Sequence, residues 1–445
     1  MKVLAFAIAL VLPPSAARAA GPPPTVRFDR VVIDPDLADA YQVEVADVDG
    51  DKKPDIIALG NNTINWYQNP TWTKRTIGAT GSGPLKADII SSATTDLDGD
   101  GRAEVAIACD FAMNTPTRGQ LYLASPGATL DAPWTLRKVA DVPSIHRLRW
   151  GDLDGDGKPE LVVAPIFGPK ALPPTYDQDP ARVVWLRPGN ADPATGFWVP
   201  HPILERPVVH AVKVMPAPSA GGDLKIPATI LTADNTGLSF AQIGPNAITA
   251  PLTGRTIPPT TIIPGASGAA PKRGSSDVAT GSLGPARIFY ATIDPWHGSN
   301  LVVWQPQGMT VAPPTGRDPE AAARRVIDFA RLTGSMLVGR YFTQTVIDPT
   351  LDDGHALWVA DADGDGTDEI FAGHRGKDYR VAMYRFDGKT WDRTILDTAI
   401  AAQDLRGGDL DGDGVPDVVA VGGKTHNVVW YRPVRVPAER PGLVP

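Results

Sequence analysis

The chain has 445 residues, a net charge of −8, 42% hydrophobic residues and a single cysteine. One cysteine excludes a disulfide framework, and basic residues scattered through an acidic chain exclude a nucleic-acid footprint. Its 44 glycines and 45 prolines make up about a fifth of the residues, which excludes a helical protein and suits many short strands joined by turns.

The first twenty residues, MKVLAFAIALVLPPSAARAA, carry a charged start at Lys2, an apolar run from Val3 to Leu12 and a small-x-small pattern at Ala17-Arg18-Ala19. This predicts a secretory signal peptide over 1–20, cleaved near Ala19 or Ala20, and a secreted or periplasmic product. No later stretch is long and apolar enough to span a bilayer.

Five segments then follow one template: DVDGDKKPD from Asp47, DLDGDGRAE from Asp96, DLDGDGKPE from Asp152, DADGDGTDE from Asp361 and DLDGDGVPD from Asp409. Acids stand at positions 1, 3, 5 and 9: Asp47, Asp49, Asp51 and Asp55; Asp96, Asp98, Asp100 and Glu104; Asp152, Asp154, Asp156 and Glu160; Asp361, Asp363, Asp365 and Glu369; Asp409, Asp411, Asp413 and Asp417. Calcium takes six to eight oxygens at flexible geometry, and alternating carboxylates can converge on one ion. The position-7 carbonyls of Lys53, Arg102, Lys158, Thr367 and Val415 would add a backbone oxygen to each. Position 6 is glycine in four loops and Lys52 in the first, which predicts the first as the weakest site. About five structural calcium ions are expected. They would bring −8 to about +2, so the acidic balance belongs to the metal-free chain.

Each loop lies between a short strand, such as YQVEVA, HRLRWG or HALWVA, and a β-branched run. A strand bearing Trp or Tyr follows (INWYQNP, VVWLRPG, AMYRFDG, VVWYRP), then a fourth such as TWDRTILD. Four strands recurring at a spacing of roughly 48 to 65 residues predict propeller blades. Two further blades, one from Val208 and one from Ser275, have lost the loop, and an insertion near 308–340 carries a helical pattern, DPEAAARRVIDFARL. The segment FDRVVIDP from Phe28 parallels FTQTVIDP from Phe342, an outer strand. The last blade stops after its third strand, so the N-terminal segment is expected to close the ring. The fold predicted is all-β: a seven-bladed propeller of four-stranded blades over 21–437, with a tail at 438–445.

These loops and third strands resemble FG-GAP or VCBS repeats, the propeller type of integrin α-subunit heads and many secreted bacterial proteins. The resemblance covers nearly all of the chain after residue 20 and implies calcium at the five intact loops. It implies no single function, because propellers carry binding and catalysis alike.

Six of the seven histidines fall in two repeat positions. His146, His210 and His355 lie six residues before a loop or its degenerate equivalent, at the start of an innermost strand. His297, His374 and His426 are placed in turns between second and third strands. Both positions lie on the face opposite the acidic loops, so the six are expected to ring the mouth of the central channel. Tyr41 and Gln403 hold the inner-strand position in blades one and seven, Arg375 follows His374, and Lys170 and Tyr176 lie on a long loop of blade three. Trp296, beside His297, is the candidate for stacking on a sugar ring.

Such a ring suits one zinc, manganese or iron ion, or acid–base work. It also suits a wet channel mouth that merely collects polar residues. The chain is similar to the propeller module of aldos-2-ulose dehydratases and to propeller-type polysaccharide lyases, though the cupin-type region of the full dehydratases has no counterpart in these residues. That similarity implies β-elimination on a sugar or polysaccharide, a carbon–oxygen lyase activity with His146, His210, His355, His297, His374, His426, Tyr41 and Arg375 as candidate catalytic groups. Trp296, Lys170, Tyr176 and Gln403 are the candidate substrate contacts. The alternative is a non-catalytic propeller that binds a glycan or a protein on the same face. A carbohydrate substrate or glycan ligand and a monomeric state are expected.

Overall fold

A computed structural model describes residues 25–60, 62–192, 195–215, 228–243, 260–284, 287–307 and 342–436. The signal-peptide segment, the helical pattern near 308–340 and the tail at 438–445 lie outside the described residues. Seven four-stranded antiparallel sheets make seven blades. Among the described residues there is no helix, and none long and apolar enough to cross a membrane.

The innermost strands are Gln42–Ala46, Ser91–Thr95, Ile145–Gly151, Ala211–Met215, Asp277–Ser282, Gly354–Ala360 and Ala402–Gly408. Blades four and five, which lack the acidic loop, are complete, with outer strands Thr260–Pro264 and Phe342–Asp348. The seventh blade takes its outer strand from the N-terminal side. Thr25–Asp34 pairs antiparallel with Asn427–Val436, from Thr25 opposite Val436 to Asp34 opposite Val428. The ring therefore has no open seam.

The core lies between blades. Second strands such as Glu104–Cys109 and Glu160–Pro165 are buried along their whole length, because both faces of a blade meet a neighbour. This explains their unbroken apolar runs. Trp66 and Trp185 on third strands are fully buried, each contributing about 2–3 kcal/mol of burial. Cys109 is buried in the same layer, and burial pushes its thiol up to about 11, so it is packing and not a nucleophile.

The inner strands face the axis with an unpaired edge, and side chains of neighbouring blades satisfy it. Gln42 Nε2 donates to Ser92 O at 2.9 Å, Ser91 Oγ accepts from Leu148 N at 3.2 Å, and Trp150 Nε1 donates to Ala93 O at 2.8 Å. A second device joins blades near the rim. Tyr67, Tyr384 and Tyr431 occupy equivalent third-strand positions. Each donates to an aspartate that ends the previous blade's outer strand: Asp34 at 2.6 Å, Asp348 at 2.7 Å and Asp397 at 2.8 Å.

Candidate functional site

In each acidic loop the first aspartate folds the backbone round itself. Asp152 Oδ1 accepts from Gly155 N at 2.7 Å and Oδ2 from Gly157 N at 2.9 Å. Position 6 is left-handed throughout: φ is +90° at Gly101, +86° at Gly157, +91° at Gly366, +84° at Gly414 and +68° at Lys52. Lys52 bears that conformation with a Cβ, at a cost on the order of 1 kcal/mol.

The position-9 acid is buried and turned inward. Carboxylate oxygens of Asp47, Asp49 and Asp55 lie within 4.8 Å of one another, as do those of Asp96, Asp98 and Glu104, of Asp152, Asp154 and Glu160, and of Asp361, Asp363 and Glu369. Burial, then the neighbouring aspartates, push Glu369 up to about 9; burial is also the main cause that raises Asp55 to about 7 and Asp417 to about 6. Glu369 Oε1 and Asp409 Oδ1 have no hydrogen-bond partner. Converging oxygens, a buried carboxylate and orphaned lone pairs fit a hard cation. Two loops also hold a guanidinium. Arg187 Nη2 lies 2.7 Å from Asp154 Oδ2 and from Glu160 Oε1, and Arg385 lies 2.9 Å from Asp363 and from Asp365.

The opposite end of the axis is closed by imidazoles. One repeat position at the head of the inner strands, six residues before each acidic loop, is occupied by Tyr41, Ile90, His146, His355 and Gln403 in blades one, two, three, six and seven, with His210 and Ser276 at the equivalent place in blades four and five. Three of the six histidines expected at the mouth come from this position. His297 joins them from the turn between Ile288–Asp294 and Asn300–Pro306, held at φ +47°. Ring centroids lie 5.1 Å apart for His146 and His210, 4.7 Å for His210 and His297, and 5.0 Å for His355 with each of His210 and His297. Ligand atoms of His210, His297 and His355 lie within 4.8 Å of one another.

The hydrogen bonds fix the tautomers. His210 Nδ1 donates to Ser276 O at 2.7 Å and His355 Nδ1 to Gln403 O at 2.6 Å. Both Nε2 atoms are therefore left with lone pairs aimed into the cluster. His297 Nε2 then donates to His210 Nε2 at 2.9 Å, and His297 Nδ1 accepts from Arg375 Nη2 at 3.1 Å. Asp353 Oδ1 is 3.4 Å from the same Nδ1, so the other tautomer of His297 also has a partner. Carbonyls that set two imidazoles, with a third able to switch, fit a borderline divalent metal.

Burial, aided by Arg375 and Arg147, holds His146, His210, His297 and His355 well below the usual imidazole range, so all four are neutral near pH 7. Tyr41 Oη lies 3.2 Å from His146 Nε2, and His146 Nδ1 is buried without a partner. Arg147 reaches back to the cluster, with Nη1 3.2 Å from His146 Nε2 and its guanidinium 5.3 Å from the Tyr41 ring. Gln403 completes the site by accepting from Arg375 Nη1 at 2.9 Å. A cavity of about 390 Å³ opens beside Tyr41, lined also by Asp39, Asp88, Ile89, Phe111 and Met113.

Other expected site residues are not brought in. His374 is the last residue of a second strand, not a turn residue; its Nδ1 donates to Asp352 O at 3.1 Å, which turns the ring away from the axis. His426 is exposed, and its Nδ1 accepts from Asp39 N at 3.1 Å. Lys170 is exposed, and only its backbone is engaged, with Asp179. Tyr176 stacks on Phe167 at 4.8 Å, in an apolar cluster that also buries Trp296. Trp296 is 8% exposed and lies 4.9 Å from the His297 ring, so it walls the site and offers no open face for stacking. Arg147 and Phe111 are the groups that the repeat pattern did not single out.

The molecule is thus a seven-bladed β-propeller, and a family model described as FG-GAP-like repeat matches residues 47–107 and 361–420. The chain is similar to an aldos-2-ulose dehydratase of Phanerodontia chrysosporium, with 26% identity over 260 residues, 58% of this chain. The chain spans about a quarter of that relative's length.

Proposed function

We propose that the protein is an exported, calcium-stiffened propeller that acts as a carbohydrate lyase of the dehydratase type, with its chemistry at the imidazole end of the axis. The observation that carries this reading is the convergence of four buried neutral imidazoles with Tyr41, Arg147 and Arg375. The similarity to a sugar dehydratase supports it.

β-Elimination next to a carbonyl needs a base for the α-proton, a proton for the departing oxygen and a positive group at the carbonyl. Of the four imidazoles, His146 stands outside the trio that could hold a metal, and with its Nε2 3.2 Å from Tyr41 Oη it is the group that would take the α-proton. Tyr41, hydrogen-bonded to His146, is placed to hand a proton to the leaving hydroxyl, which departs as water. The guanidinium of Arg147 has no carboxylate partner among the described residues and can face a developing enolate oxygen. His210, His297 and His355 would hold a zinc, manganese or iron ion, which supplies Lewis-acid polarisation of that carbonyl. The cavity beside Tyr41 falls in the size range of small-molecule sites.

The test is elemental analysis of purified wild type and of a His210→Ala/His355→Ala variant, followed by a screen of keto-sugars and uronic-acid glycans for ultraviolet-absorbing elimination products. About five calcium ions, plus one transition metal lost in the variant, are expected, with product formation falling by about a hundredfold or more. A glycan bound by the wild type but recovered intact would replace this reading with that of a binding module.

A further inference from the structure

We propose that the acidic-loop end of the axial channel is a second ligand site, built to hold a small oxyanion such as a carboxylate or sulfate group. It lies at the opposite end of the axis from the imidazoles and does not depend on the function proposed above.

A cavity of about 250 Å³ is lined there by Glu44, Thr94, Arg149, Trp150 and Arg406, among others. Arg149 and Arg406 occupy the same repeat position, three residues before the loops that start at Asp152 and Asp409. They are folded alike. Arg149 Nη1 donates to Leu148 O at 2.7 Å, and Arg406 Nη1 to Leu405 O at 2.6 Å. Each guanidinium is thereby bent back along its own strand, beside the cavity. Burial, then Arg406, hold the Arg149 guanidinium down at about 10 against the opposing pull of Asp404 and Glu44.

Glu44 and Asp404 attract Arg149 at a distance, but both are engaged by other partners and neither forms an ion pair with it. Glu44 is held by the Ser92 hydroxyl and by Thr94 N at 3.0 Å. Asp404 accepts from Val43 N at 3.2 Å and pairs with Arg406 at 2.9 Å. Asp277 accepts from Val278 N at 2.8 Å, and burial raises it to about 6. Lys213, on the next inner strand, donates to Thr280 Oγ1 at 3.2 Å. Among the described residues Arg149 has no ion pair, although two further cations, Arg406 and Arg147, stand near it. Trp150 spends its indole N–H on Ala93 O and serves as a wall. An oxyanion in the cavity would accept from the Arg149 fork, supply the ion pair it lacks and offset its repulsion with Arg406.

Isothermal titration of the calcium-saturated full chain at low ionic strength tests the site, with sodium sulfate and sodium glucuronate as probes. Both are expected to bind. Tighter glucuronate would mark a sugar acid as the natural ligand, and tighter sulfate a tetrahedral anion. Arg149→Met is expected to weaken binding about tenfold or more, the loss of one charge-assisted contact, while His297→Ala leaves it unchanged. If Arg149→Met does not fold, Arg149→Lys decides: a weakening of about tenfold supports the forked contact, and unaltered binding overturns it. No heat with either anion, binding undiminished in the arginine variant, or binding lost only in His297→Ala would each overturn the proposal.

Discussion

Excess chelator is expected to lower the melting temperature of the calcium-loaded protein by on the order of 10 °C. A site tenfold above its dissociation constant adds about 1.4 kcal/mol to the folded state, so five add about 7 kcal/mol. At about 2.1 cal/mol/K per residue, a propeller of roughly 400 residues then loses about 8 °C. The structure gives the reason for so large an effect. Each loop buries its last acid against two or three others, and without a cation the position-9 carboxylates are left in an environment that burial makes hostile to charge. Scanning calorimetry with and without chelator, and with magnesium in place of calcium, reads this directly. Magnesium demands octahedral geometry and should restore little. An unchanged melting temperature in chelator would remove the structural-calcium claim.

Asp348→Ala is expected to cost about 2–3 kcal/mol, because it strands the buried Tyr384 hydroxyl and removes the shared partner of Arg380 and Arg393. The Asp348 carboxylate accepts from Tyr384 at 2.7 Å, Arg393 at 2.9 Å, Thr350 N at 2.7 Å and Thr350 Oγ1 at 2.5 Å, and so ties blade five to blade six. Burial alone would raise its pKa, but the bonds from Thr350, Tyr384 and Arg393 outweigh it and hold the group well below the usual carboxylate range. A depressed carboxylate stabilises the folded state above its unfolded pKa, near 3.9, and loses that contribution as pH falls toward the folded value. The wild type should therefore lose stability steeply below about pH 4, while Asp348→Ala shows a constant deficit above about pH 5 and a flatter acid limb. Urea titrations across pH 2 to 7 check both features. A variant parallel to wild type across the acid range would show that this latch carries no linked stability.

Ring closure, the Tyr–Asp latches and the two ends of the axis differ in how far sequence reveals them. Ring closure was legible because FDRVVIDP and FTQTVIDP share a register that only an outer strand needs. His146, His210 and His355 were legible because one repeat position maps to one place on the axis. His374 and His426 share a turn neighbourhood with His297, yet a ring's direction is decided by its nearest acceptor or donor. For His374 that is Asp352 O, and for His426 it is Asp39 N. Neither partner is close to its histidine in sequence. Arg147 was passed over because strand alternation points position 147 away from 146, and only the length of its side chain brings the guanidinium back. The Tyr–Asp latches do leave a signal in the sequence: the Asp in VIDP, VIDP and ILDT, and a Tyr on the third strand of the next blade.

Closure through Thr25–Asp34 also sets a timetable. That strand leaves the ribosome early, but its partner, Asn427–Val436, is made about 400 residues later. At 5–20 residues per second the wait is roughly 20 to 80 seconds, with an unpaired strand edge exposed throughout. Asp34 can latch to Tyr67 of the first blade long before it meets Val428, which gives the waiting strand a provisional berth. The ring is thus a clasp whose two halves are synthesised at opposite ends of the message.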